Sequence, residues 1–177
     1  FALPTISFTA PADICEDAAT VALSATPMGG TFSGTGVTGN NFNPTTAGVG
    51  THTLTYTYID DNGCTNSASD DIEVFVLPMV TFTAPADVCA DSDVVAISGN
   101  PAGGTFSGTG INDGVFSPAI ASVGVHTLTY TYTDANGCIN SASDDIEVFA
   151  LPTISFTTPA DLCVDASAVA LSATPSG

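Results

Sequence analysis

The chain contains no Lys and no Arg, against 18 acidic residues, so its formal charge is −18. Nucleic acid and anionic lipid headgroups are repelled by such a surface, and a phosphate-handling site has no cation to work with. No intramolecular salt bridge to Lys or Arg can form, no Lys–Asn isopeptide bond can staple the fold, and trypsin has no site to cut. Trp is absent as well, and His occurs only at His52 and His126. A nucleophile–base–orienter set would have to be built around one of those two, and no spacing suggests it. No apolar run approaches the ~20 residues that span a bilayer, which predicts a soluble segment with no membrane insertion. No stretch shows a helical period, so no helix is expected. Close Cys/His pairs such as C-x₂-C are missing, which removes the usual zinc arrangements. Asn43-Pro44-Thr45 is disqualified as an N-glycosylation sequon by its Pro, and no other N-x-S/T occurs.

What is present is repetition. Phe1, Phe75 and Phe149 open three copies at a period of 74 residues, and 48 of the 74 positions are identical between the first two. A fixed period of this size means an array of like modules. The domains are expected at 1–74, 75–148 and 149–177, the third being only the start of a copy. A stub of that size cannot bury a core of its own, and with no initiator Met the chain reads as an excerpt from a longer array. Each full copy carries eight carboxylates, in the first Asp13, Glu16, Asp17, Asp60, Asp61, Asp70, Asp71 and Glu73. Without cations to pair with, they are expected to form a solvated surface that keeps the array from aggregating.

The pattern within a copy is β throughout. Residues 51–58 (THTLTYTY) alternate strictly, which puts His52, Leu54, Tyr56 and Tyr58 on one face and the threonines on the other. Asp60-Asp61-Asn62-Gly63 supplies hairpin chemistry, because Asn-Gly tolerates positive φ. Residues 65–74 return as the partner strand. Shorter strands are expected at 5–9, 20–24, 31–33 and around Phe42, with Gly and Pro between them. Five or six short strands with such punctuation predict an all-β fold of tandem β-sandwich modules. The linker Phe-x-Leu-Pro recurs at 1–4, 75–78 and 149–152 without Gly or Ser. Its Phe and Leu are expected to bury, and its Pro to stiffen the joint, giving a rod-like array.

Five regularly recurring cysteines in such a chain point to disulfides in an oxidising compartment. Two pairings fit the period. Within a copy, Cys15 joins Cys64 and Cys89 joins Cys138, with the partner of Cys163 outside the segment. Between copies, Cys64 joins Cys89 and Cys138 joins Cys163. Six antiparallel strands in simple alternation would put Cys15 and Cys64 at one end of the sandwich. That favours the first pairing, in which a closed loop of about 50 residues contributes about 4 kcal/mol.

Other motifs resolve against themselves. Gly34-Thr35-Gly36-Val37-Thr38-Gly39 matches the dinucleotide pattern, but the second copy has Asp113 in place of the third Gly and no helix is expected after either. Asp60-x-Asn62-Gly63 and Asp134-x-Asn136-Gly137 resemble the start of an EF-hand loop without its distal Glu. The better Ca²⁺ candidates are Asp70, Asp71 and Glu73, with Asp144, Asp145 and Glu147 in the second copy. Adjacent residues of a strand face opposite ways, however, which halves their power as ligands. No other cofactor is implied. The histidines read as rim or core-edge residues.

The run GGTFSGTG (29–36), the phrase AGVGTHTLTYTYIDDNGC (47–64) and the following TNSAS resemble the Ig-like/PKD-like tandem repeats of very large Bacteroidota cell-surface proteins. Repeats of this type occur in gliding-motility-associated adhesins and other type IX secretion cargo. The resemblance implies an Ig-like sandwich, an extracellular or cell-surface location, and a non-catalytic structural role as adhesin stalk or filament. Its partners would be neighbouring modules, identical chains in a filament or bundle, and surface glycans or other cells. A glycan- or partner-binding module, or a spacer within a larger secreted enzyme, are the alternatives.

Overall fold

The computed structural model describes residues 2–174; Phe1, which opens the first copy, and residues 175–177, with Gly177 at the end of the third, lie outside them. The first repeat is built from β1 (Ser7–Phe8), β2 (Ile14–Cys15), β3 (Val21–Ala22), β4 (Ala25–Thr26), β5 (Thr31–Ser33), β6 (Val37–Thr38), β7 (Asn41–Phe42), a single helical turn α1 (Pro44–Ala47), β8 (Gly50–Ile59) and β9 (Thr65–Phe75). One layer is the four-stranded sheet β2-β9-β8-β5. The other holds β3-β7-β6 and the β1-β4 pair, with β3 and β4 as consecutive pieces of one stretch. Four strand positions face four, with the long β8–β9 hairpin at the centre of one layer, the two-layer arrangement of an Ig-like β-sandwich.

The second repeat copies this plan. Its elements are β10 (Thr81–Phe82), β11 (Val88–Cys89), β12 (Val95–Ala96), β13 (Gly99–Asn100), β14 (Thr105–Ser107), β15 (Ile111–Asn112), β16 (Val115–Phe116), α2 (Pro118–Ala121), β17 (Gly124–Thr133) and β18 (Ile139–Phe149). Its sheets are β11-β18-β17-β14, β12-β16-β15 and β10-β13. Among the described residues after Phe149, the third copy contributes β19 (Ser155–Phe156) and β20 (Ala173–Thr174), paired antiparallel. Residues 149–174 are exposed throughout. The strands that would cover them in a full copy are the equivalents of β5, β8 and β9.

Alternation along β8 does what the sequence predicts. Leu54 and Tyr56 are buried and the threonines between them face outward or are half-buried. Leu54 packs with Leu23, Phe42, Ile72 and Val74, and Phe8, Ile14 and Phe32 close the edges. Phe116, Leu128, Ile146 and Val148 form the equivalent cluster in the second repeat. Each such side chain contributes roughly 1.5–3 kcal/mol by leaving water. The hairpin runs in register from Gly50↔Val74 to Ile59↔Thr65.

Three local expectations are corrected. A helix is present after all, one turn long in each repeat. Asn43 caps α1 by accepting from the Thr45 and Thr46 N–H groups, and Pro44 stands at the first turn, where its missing N–H costs nothing. A single turn is too short to show a period. Secondly, the Gly-rich stretch after β5 is not merely a bend but holds the hairpin β6–β7. Thirdly, the strands do not alternate simply. β1 pairs antiparallel with β4, but the chain then crosses to the other layer and β2 runs parallel to the end of β9, with Ile14↔Val74 and Cys15↔Phe75. Pro11 interrupts pairing at the crossover. Two carboxylates hold the crossing segment to β9: Ala10 N–H donates to Asp70 Oδ2 at 2.9 Å and Glu73 N–H to Asp13 Oδ1 at 2.8 Å. Ala84–Asp144 and Glu147–Asp87 repeat both bonds.

Two compact units divide the described chain. One comprises 1–81 with 99–105 and 130–142, the other 82–98, 106–129 and the residues from 143 onward. The first unit therefore takes in the first repeat, the linker and the tip of the second repeat's long hairpin. No helix among the described residues is long and apolar enough to cross a membrane.

Candidate functional site

The feature that sets this chain apart lies within the first unit, around the linker. Cys15 is bonded to Cys138, 123 residues away, with Cα atoms 5.6 Å apart. Both partners are held by local geometry. Cys15 lies at the end of β2, where Glu16 N–H donates to the Phe75 carbonyl at 2.9 Å and Ala18 N–H to the Cys15 carbonyl at 3.0 Å. Cys138 sits at the tip of the β17–β18 hairpin and is fully buried. There the Asp134 Oδ1 atom accepts from Asn136 N–H at 2.9 Å and from Cys138 N–H at 2.8 Å, while Gly137 takes a φ of +85°. The carboxylate thus organises a turn that an L side chain at Gly137 would strain.

The linker is tied to both sides of this bond. Leu77 N–H donates to Glu16 Oε1 at 2.9 Å, and Asn140 Nδ2 donates to the Pro78 carbonyl at 2.9 Å. Phe75 and Leu77 are half-buried and Val76 and Met79 exposed, but in the other two copies of the linker the expected burial does not hold, since Leu3, Phe149 and Leu151 are exposed. Loop, linker and hairpin tip therefore converge, and the disulfide clasps one repeat to the next across them.

This corrects the pairing expected from the sequence. Cys15–Cys64 does not form, because β2 runs parallel to β9 and lies at its far end. The eleven residues of β9 separate Cys15 from Cys64, roughly 35 Å at ~3.3 Å per residue, whereas a disulfide needs Cα atoms within about 7 Å. The same holds for Cys89–Cys138, since Cys89 pairs with Phe149 and Cys138 precedes β18. Neither alternative pairing is present: Cys64, Cys89 and Cys163 are free thiols.

The Ca²⁺ candidates are not gathered. Asp70 shares the face of Leu54 and Ile72, while Asp71 and Glu73 lie on the threonine face, as strand alternation requires. Asp70 is engaged by the N–H groups of Ala10 and Asp71, and Asp144 by those of Ala84 and Asp145. The Glu73 and Glu147 N–H groups reach Asp13 and Asp87. No group of three or more His, Cys, Asp or Glu side chains among the described residues is placed to hold a metal ion. Asp60 and Asp134 head hairpin turns, each folding its carboxylate onto its own turn's N–H groups. His52 Nε2 donates to the Gly48 carbonyl at 2.7 Å and its ring lies 6.1 Å from that of Phe42, the core-edge position expected. Gly34 and Gly36 in the β5–β6 connection and Gly39 in the β6–β7 turn all have positive φ, and the helix that follows is four residues long.

A cleft of about 300 Å³ opens beside Tyr56, lined among others by Leu23, Thr26, Met28 and Asn40. Its one phenolic hydroxyl is already engaged, accepting from Gly30 N–H at 2.7 Å and donating to the Pro27 carbonyl. In the second repeat Ile97, Asn100, Ala102 and Gly114 stand at those four lining positions. The lining is repeated only in part, with Ser98, Gly103, Gly104, Phe106 and Tyr130 keeping their residue types, whereas the disulfide-bearing loop and hairpin recur.

The chain matches no family model, and no curated protein matches its sequence. Among solved structures it is similar to the Bacteroides ovatus mixed-linkage glucan utilization locus protein SGBP-B, in complex with a mixed-linkage heptasaccharide. Identity is 18%, the TM-score 0.29, and the match covers 84% of this chain and 46% of that one. It is also similar to the protocadherin gammaB7 EC3-6 cis-dimer (16% identity, TM-score 0.31, 88% and 49% covered). A third is the titin domains z1z2 in complex with telethonin (10% identity, TM-score 0.29, 86% and 100% covered). The chain spans about half the length of the first two. Likeness this distant carries no argument about function, which rests on the chain's own residues.

Proposed function

We propose that the chain is a structural segment of a long extracellular filament or cell-surface adhesin stalk, and that it is not catalytic. The observation that carries this reading is the Cys15–Cys138 bond, which ties two repeats to each other across their linker. A bond placed there does nothing for a ligand site. It resists separation of neighbouring repeats, and in a chain pulled from its ends it would shield the stretch between the two cysteines from load. The disulfide also requires an oxidising compartment, which agrees with a surface location. Threonine-rich outer faces and unopposed carboxylates keep such an array from sticking to its neighbours. A cell-surface protein of the gliding-motility or type IX secretion kind would use a shaft of this description.

The test is an in-frame deletion of one 74-residue repeat in the producing organism, with the surface fibre imaged by immuno-electron microscopy. The fibre should shorten by one repeat while attachment at its tip persists. Unchanged fibre length would defeat the reading. So would tight, saturable binding of the 177-residue chain to an immobilised polysaccharide panel, which would favour the glycan-binding alternative.

A further inference from the structure

We infer that Cys89 and Cys64 are the open halves of the same clasp, and that Cys89 takes the hairpin-tip cysteine of the repeat that follows in series. The partner is a thiol, the Cys that closes an Asp-x-Asn-Gly-Cys turn in a repeat of this kind. Each half is built to the pattern of the half already bonded, save that Ala90 stands where Glu16 holds the linker. Cys89 pairs with Phe149 as Cys15 pairs with Phe75. Ala90 N–H donates to the Phe149 carbonyl at 2.9 Å and Ser92 N–H to the Cys89 carbonyl at 3.0 Å, the two bonds that set the loop of Cys15. On the other half, Cys64 N–H donates to Asp60 Oδ1 at 2.8 Å, as Cys138 does to Asp134. Asn66 Nδ2 reaches the Pro4 carbonyl at 2.8 Å, as Asn140 reaches Pro78.

Neither half has a partner within its own repeat, because a long strand separates loop from tip. The thiols are nevertheless reachable, Cys89 being exposed and Cys64 half-buried. One rule then accounts for every cysteine: a loop cysteine bonds the hairpin cysteine of the next repeat, 123 residues on. The array becomes a series of overlapping covalent links, each spanning one linker. Formation is thiol–disulfide exchange with a small-molecule disulfide as oxidant. One protein thiolate attacks it and releases one small thiol. The second protein thiolate displaces the other, leaving the protein disulfide and two small thiols, with two electrons and two protons transferred.

The test compares the 177-residue chain with a version in which 75–148 is duplicated once, in frame, before Phe149, the duplicate marked by Val88→Ile and Ile139→Thr, the first repeat's own residues at those positions (Ile14 and Thr65), so that its cysteine peptides differ in mass from the originals. Both are oxidised with glutathione disulfide, alkylated, cut with an aspartate-specific protease and mapped without reduction. The natural chain should show Cys15–Cys138 and alkylated Cys64, Cys89 and Cys163. The lengthened chain should show one further bond, from Cys89 to the duplicate's copy of Cys138, with thiols left on Cys64, the duplicate's copy of Cys89, and Cys163. Full alkylation of Cys89 in lengthened chains that do contain Cys15–Cys138 would overturn the inference, as would a bond from Cys89 to Cys138 of its own repeat. The Cys89→Ser version of the lengthened chain should retain Cys15–Cys138 and leave the duplicate's copy of Cys138 alkylated. A new bond from that cysteine to any other would equally overturn it.

Discussion

Tyr56 shows how much one residue does in a small sandwich. Its ring is buried against Phe32, with centroids 4.6 Å apart, and its hydroxyl bridges Pro27 and Gly30 across a turn. Tyr130 repeats the bridge between Pro101 and Gly104. Tyr56→Phe keeps the packing and leaves an N–H and a carbonyl without their partner. The expected loss is about 1–3 kcal/mol, read as a lower urea midpoint at unchanged slope. The sequence placed Tyr56 on the core face correctly, since alternation is a local property. It did not disclose the hydroxyl's partners, which lie in a turn 26 to 29 residues away. The carboxylates carry a similar lesson. Composition predicts a solvated surface, yet Asp13, Asp60, Asp70 and Glu16 accept backbone N–H bonds. In a chain with no Lys or Arg, backbone donors are the partners that can order them.

At the scale of elements, the hairpin tip is the part most open to test. Asp134 Oδ1 receives two N–H groups and thereby places Cys138. Asp134→Ala should cost about 1–2 kcal/mol and slow formation of Cys15–Cys138 in a glutathione redox buffer. Asp134→Asn, which keeps the accepting oxygen, should be close to wild type; equal effects of the two would mean that the Asx turn does not position the cysteine. The hairpin was legible because Asp-x-Asn-Gly between alternating strands is local turn chemistry. The crossover of the chain from β1 to β2 was not, because its cause is the pair of non-local bonds Ala10–Asp70 and Glu73–Asp13. The short helices escaped because a single turn leaves no periodicity.

For the molecule as a whole, the disulfide and the charge make separate predictions. A bond closing 123 residues contributes about 5 kcal/mol in the chain-entropy account. Cys138→Ser, or reduction with dithiothreitol, should therefore lower the thermal midpoint clearly, while Cys89→Ser should leave the 177-residue chain unchanged. An equal drop for the two would contradict the observed connectivity. Charge acts in one direction, since 18 carboxylates face no Lys or Arg. Their mutual repulsion is screened over about 10 Å at 0.1 M salt. Raising NaCl from a few millimolar to about 0.15 M should raise Tm, and a fall would mean that repulsion is not the dominant electrostatic term.

The sequence by itself determined the period, the all-β character, the long hairpin with its inward Leu54 and Tyr56, and the acidic surface. Each follows from neighbours along the chain, through alternation, turn residues or composition. Only the tertiary structure decided which cysteines meet. That depended on β2 running parallel to β9, which sends Cys15 to the linker end of its repeat, and on Asn140 holding Pro78, which brings the next hairpin tip to the same place. The spacing of 74 residues constrains every pairing equally. It cannot rank them, because strand direction is set by contacts some 60 residues apart.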